Sequence, residues 1–308
     1  MALRVGALYG AFTLKRLLSN VTVVGCGLMG SGIAAICASS GYNVKVLVGN
    51  DDQLKKSEDS VLRVLHGSSK SRSEDFVEAV ATRIILTTDV NNALSDSEMV
   101  IEAVTEDLKT KCSLFQSLEH FAPSSCVFAS NTSSLPINEI VKGFSRKEFF
   151  GGLHFFNPVQ KMKLVEITRC SHTSGDTLKV CTLAAFAESL GKTVVHCKDT
   201  PGFIVNRLLV PYLLEAIEMW ERRDASLNNI DMAMRLGAGH PMGPFELADH
   251  VGLDTLLRII VHWVERHPEE RAFRLNTTVR QLVAQGRLGK KCGHGFFMYD
   301  QRGRIIEK

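Results

Sequence analysis

Residues 21–32, VTVVGCGLMGSG, constrain the fold more than any other stretch. A short apolar run leads straight into Gly25, Gly27 and Gly30 in the spacing GxGxxG, and a helical pattern starts at Leu28. A strand that enters a helix through so tight a turn needs glycine three times. One makes the turn, one lets a bound group approach the backbone, and one seats the helix on the strand. The helix start then offers partial positive charge and unsatisfied N–H groups, which suit a pyrophosphate. Gly25, Gly27 and Gly30, with Leu28 and Met29 between them, are read as a dinucleotide loop. The bland alternative is a glycine-rich turn without a ligand.

The rest of the first two thirds repeats the alternation. VKVLV (44–48), RIILTT (83–88), MVIEAV (99–104), CVFAS (126–130), LHFF (153–156), KLVEI (163–167) and TVVHC (193–197) are strand-like, with helical stretches between them. Continuous apolar strands alternating with helices imply a mostly parallel sheet covered on both faces. After DTPGFIVN (199–206) the period becomes helical almost to the end. The expected fold class is therefore α/β: a Rossmann-like dinucleotide-binding domain over 21–203, then an all-helical C-terminal domain over 204–308.

Composition excludes several classes. The 36 basic and 33 acidic residues leave a net charge of +3, too little to argue for nucleic acid. No apolar run reaches the ~18 residues of a membrane span. The eight cysteines are scattered, without CxxC pairs, and read as reduced, mostly buried thiols with no metal-ligand spacing. Residues 1–20 carry Arg4, Lys15 and Arg16 and no acid, the bias of a mitochondrial presequence. The competing reading is a ragged N-terminus before the first strand.

A dinucleotide domain usually ends its second strand on an acid that holds the ribose. Here that place is Val48. Asp51 and Asp52 follow, and two readings stand: they reach the ribose, or they cap the next helix. No arginine cluster argues for a 2′-phosphate, and Lys55 and Lys56 are the available cations.

Hydride transfer from an alcohol carbon also needs a group that takes the hydroxyl proton. Histidine titrates near neutrality and can do so. A carboxylate on its other ring nitrogen would fix the tautomer. His154 and Glu166 stand on successive strands, either side of Asn157–Pro158, and could meet. Spacing alone leaves an acid–base pair and a structural polar pair both open.

Seven motifs in order carry a resemblance: VGCGLMGSGIA (24–34), EAVTEDLKTK (102–111), FASNTSSLPI (128–137), GLHFFNPVQKMKLVEI (152–167), DTPGFIVNRLLVPYLLEA (199–216), LGAGHPMGPFELADHVGLDT (236–255) and GKKCGHGFF (289–297). Together they span nearly the whole chain, and the sequence resembles the L-3-hydroxyacyl-CoA dehydrogenase family. That resemblance implies NAD as cofactor, an acyl-CoA substrate, fatty-acid β-oxidation in the mitochondrial matrix, and a homodimer made through the helical domain. It implies His154 as catalytic base and Glu166 as its orienting carboxylate. Ser133 matches a serine near substrate and nicotinamide, and Asn206 an active-site amide. Glu106, Lys111 and Asn157 match residues beside the cofactor, and Lys291 a distal lysine reaching it. Ser60 and Lys70 are candidates for the CoA end.

Two departures touch the adenine ends of the ligands. The ribose acid is replaced by Val48, and HGSSKSRSEDF (66–76) is shorter and less lysine-rich than its family counterpart. Two rival functions follow: a binding or structural paralogue with weak cofactor use, and a dehydrogenase of a free hydroxy acid on the same scaffold. The extensive match around NTSSL and HFFNP argues against the second.

Overall fold

The computed structural model describes residues 18–67, 73–172 and 178–307. The chain divides into two compact units, one ending at Phe203 and the next starting at Ile204.

The first unit is built on β1 (Asn20–Val24), β2 (Asn43–Leu47), β3 (Ile84–Thr87), β4 (Met99–Glu102), β5 (Val127–Ser130), β6 (Phe150–Phe155), β7 (Leu164–Arg169) and β8 (Thr193–Cys197). They form one sheet in the order 3-2-1-4-5-6-7-8. β1 to β6 run parallel; β7 is antiparallel to β6, and β8 follows β7. The short connection from Phe155 to Leu164 is too brief for a parallel crossover, so the bend at Asn157–Pro158 reverses the chain into a hairpin. Helices α1 (Leu28–Ser39), α2 (Asp51–Gly67), α3 (Glu74–Ala81), α4 (Val90–Leu94), α5 (Leu108–Leu118), α6 (Ile137–Ile140) and α7 (Leu178–Ser189) connect the strands.

Alternate strand residues feed separate cores, as burial on both faces requires. Met99, Ile101, Ala129, Leu153 and Val165 enter one. Val100, Phe128 and Phe150 enter the other, where Phe115, Phe144 and Phe150 meet edge to face.

β1 begins one residue earlier than expected, at Asn20. The Glu98 carboxylate accepts from the N–H groups of Ser19 and Asn20, and Leu18 is buried. Of the leader expected over residues 1–20, residues 1–17 lie outside the described residues. The cap of α2 also differs from the Asp51–Asp52 reading. Asn50 Oδ1 accepts from Gln53 N–H at 2.9 Å, so Asn50 is the cap and the two acids occupy the first turn.

The second unit contains α8 (Val205–Glu221), α9 (Leu227–Gly237), α10 (Pro244–Val251), α11 (Leu253–Arg266) and α12 (Thr277–Ala284). Its core gathers Leu213, Ile217, Phe245, Leu256, Ile260 and Trp263. The expectation of helices alone needs one addition, an antiparallel ribbon of β9 (Met298–Tyr299) and β10 (Ile305–Glu307). Buried Asp249 ties that ribbon to α10 by accepting from Phe296 and Phe297 N–H and the Tyr299 hydroxyl.

Among the described cysteines none is in a disulfide. Cys37, Cys126 and Cys170 are buried, Cys26, Cys112 and Cys197 half-buried, and Cys292 exposed, so burial is less general than composition suggested. Burial pushes the Cys126 thiol up to about 12.

Candidate active site

His154 and Glu166 are direct cross-strand partners in the β6–β7 ladder. Their neighbours Leu153, Phe155, Val165 and Ile167 enter the first core, so both polar side chains point to the opposite face. His154 Nδ1 lies 2.7 Å from Glu166 Oε2. Both residues are buried, Glu166 completely. The Phe156 and Phe203 rings stand 4.4 and 5.7 Å from the imidazole, centroid to centroid. Phe203 holds φ at 53°, a conformation a bulky residue rarely adopts. With Nδ1 occupied by a carboxylate, Nε2 is the nitrogen presented for proton exchange.

The loop after β5 is fastened beside this hairpin. Asn131 Oδ1 accepts from Phe155 N–H at 2.8 Å. One oxygen of Glu106 accepts from Ser133 N–H (2.9 Å), Ser134 N–H (3.1 Å) and the Thr132 hydroxyl (2.7 Å). It also receives the Ser133 hydroxyl at 3.3 Å. Burial raises the Glu106 carboxyl, but Lys111 and these hydrogen bonds outweigh it, and the group ends below the usual carboxylate range. Glu106 thus grips the serine loop as an anion.

Behind it lies a pair that sequence reasoning missed in part. Lys111 Nζ is 2.5 Å from Glu102 Oε1 and 3.2 Å from Glu106 Oε2. Glu102 also accepts from Val104 N–H and the Ser130 hydroxyl. Lys111 is 1% exposed and Glu102 fully buried. The resemblance sets Lys111 beside the cofactor, and in the structure it is the counter-ion of two carboxylates. Glu102, the last residue of an apolar strand, gave no signal beyond being a carboxylate inside MVIE.

The glycine loop has the geometry a pyrophosphate needs. Gly25 has φ +93°, and a Cβ on Gly30 would fall 2.0 Å from Gly25 O. Gly27 differs: its φ of −72° is open to any residue, and a Cβ there would meet nothing within 4 Å. Neither strain nor packing within the protein requires glycine at 27, which leaves room for a ligand as its use. Leu28, at the start of α1, is 70% exposed, whereas Met29 packs against the first core.

A cavity of about 600 Å³ opens beside Gly25 and Gly27 and reaches Val48, Gln53, Lys56 and Ser60. The residues present therefore fit the adenosine half of a dinucleotide. Ser60, the candidate for the CoA end, stands in this wall. Asp51 and Lys55 are exposed on α2 and lie outside the cavity wall. Lys70 lies outside the described residues. Asn157, joined to Pro158 by a cis peptide, is exposed just beyond β6. Asn206 and Lys291 belong to the second unit, Asn206 in the first turn of α8 and Lys291 paired with Asp254 at 2.5 Å.

Comparison with known proteins identifies the family. Residues 20–200 match the family model of the 3-hydroxyacyl-CoA dehydrogenase NAD binding domain. Residues 202–299 match that of the 3-hydroxyacyl-CoA dehydrogenase C-terminal domain. The chain is 47% identical over 292 residues to the mitochondrial hydroxyacyl-coenzyme A dehydrogenase of Rattus norvegicus, covering 92% of each chain. It is 46% identical to the Homo sapiens protein of that name, with the same coverage. Among solved structures, (S)-3-hydroxybutyryl-CoA dehydrogenase from Ralstonia eutropha is 35% identical with a TM-score of 0.85, covering 92% of this chain and 100% of that one.

Proposed function

Because the chain belongs to the 3-hydroxyacyl-CoA dehydrogenase family, we propose that it oxidises L-3-hydroxyacyl-CoA thioesters reversibly to 3-oxoacyl-CoA with His154 as general base. NAD, when bound, supplies the hydride acceptor. His154 Nε2 takes the hydroxyl proton of the substrate. Glu166 accepts the Nδ1 hydrogen bond, holds the productive tautomer, and stabilises the imidazolium that forms. Glu106 positions Ser133, whose hydroxyl orients the substrate oxygen where charge develops. For Asn206, Asn157 and Lys291 the roles are those the resemblance implies. The observation that carries the reading is the buried His154–Glu166 contact at 2.7 Å.

One assay tests it. NADH should be oxidised with acetoacetyl-CoA and hardly at all with free acetoacetate or without substrate. Equal rates with acetoacetate would favour a free hydroxy-acid dehydrogenase. No oxidation with any substrate would favour a binding paralogue.

Fatty-acid β-oxidation in the mitochondrial matrix, and assembly as a homodimer, belong to the same proposal. The basic, acid-free leader composition and the relatives' names support the first. Leu208, Met232 and Leu236, exposed by 69, 53 and 78% on helices of the second unit, support the second. A reporter fused behind residues 1–20 should enter mitochondria, and the purified chain should sediment above its monomer mass of 34.0 kDa. A cytosolic reporter or a 34.0-kDa species overturns the corresponding half.

A further inference from the structure

The charge of the cavity beside the glycine loop does not match a site that holds a bare ribose. Among its wall residues there is no aspartate or glutamate, and Lys56 is the only charged side chain. At the end of β2, where a carboxylate would accept from the ribose hydroxyls, Val48 is buried at 5% exposure. A carboxylate there does two things: it favours the 2′-hydroxyl and repels a 2′-phosphate. Val48 does neither.

Gln53, Lys56, Ser57 and Ser60 occupy one side of α2, at helical spacing, and all line this wall. Gln53 Oε1 accepts from Gly49 N–H at 3.1 Å, so its NH₂ is the end that can donate to a ligand. Ser60 Oγ donates to Lys56 O at 2.9 Å and accepts from Arg63 Nη2 at 3.2 Å, so its hydroxyl proton is spent within the helix, and its part is to bring a second cation one turn further along. A phosphate dianion wants cations and N–H or O–H donors. Asp51 and Asp52 oppose it from the first turn of α2 and, like Lys56, are exposed, but unlike Lys56 they lie outside the wall.

We propose that this end of the cavity accepts a 2′-phosphate, so that the chain takes NADP(H) as well as NAD(H), with Lys56 as the phosphate's cation and Val48 as the residue that admits it. The inference rests on the reading that the cavity holds the adenosine half of the cofactor, and extends it to a second cofactor.

The test is a binding measurement on the purified apoprotein, with NADH and NADPH titrated by nucleotide fluorescence. Adenosine 2′,5′-bisphosphate and 5′-AMP, titrated calorimetrically, are the corresponding half-molecule probes. The two dinucleotides should bind within about tenfold of each other, and the bisphosphate should bind at least as well as 5′-AMP. Lys56→Glu should weaken NADPH by roughly ten- to a hundredfold, the size of a lost charge-assisted contact, and NADH far less. Val48→Asp should shift the preference toward NADH by a similar factor. Wild-type binding of NADH with NADPH more than a hundredfold weaker overturns this inference alone. So does a NADPH constant unmoved by Lys56→Glu. Binding of neither nucleotide overturns the cofactor reading of the cavity and this inference with it.

Discussion

His154→Gln should lower kcat by roughly 10²–10⁴, the range for loss of a positioned general base. Glutamine keeps a polar group opposite Glu166 on β7, so the ladder that pairs the two positions has no reason to open. Glu166→Gln should fall in the same direction by another route. It preserves shape and removes the charge that stabilises the imidazolium as it forms. The two losses should not add, because both act through one proton transfer. Steady-state kinetics with acetoacetyl-CoA and NADH, on variants shown by circular dichroism to be folded, decides it. Turnover near wild type in either variant would sink the assignment.

The second large effect is on stability. Lys111→Met should lower the unfolding free energy by roughly 3–5 kcal/mol, because it strands a buried carboxylate. Glu102 would keep its bonds from Val104 N–H and Ser130 but lose its cation. Glu102→Gln in the same chain should recover much of the loss, since the charge is then gone from both sides. The readout is the urea midpoint of the single and double variants. A single variant within about 1 kcal/mol of wild type would show that the pair contributes as little as a surface ion pair. A destabilised pair should also loosen the serine loop, through Glu106, which shares Lys111.

Much of the architecture was legible because apolar runs mark strands and glycines mark the one turn that needs them. The reversal at β7 was legible only from the short connection after Phe155, since the apolar run itself serves either orientation. His154 and Glu166 could be named as a candidate pair from chemistry. Their register could not, because a shift of one residue would have sent one side chain to the other face. Lys111 shows the opposite failure. A lysine on a helix ordinarily reads as solvated, and only the fold reveals two carboxylates converging on it. Lys56 and Lys55 are equal in the sequence; the turn of α2 puts one in the cavity wall and leaves the other outside.

His154 and Glu166 sit twelve positions apart inside one hairpin. The nucleotide cavity is gathered from walls between Val24 and Leu118, across several separate segments. The two properties are therefore inherited differently. A short exchanged segment would carry the His154–Glu166 pair intact, whereas the cavity wall is spread over many positions, each open to change by a single codon. A lineage facing a different supply of reduced nucleotide can drift at Val48 or Lys56 and leave the His154–Glu166 hairpin untouched.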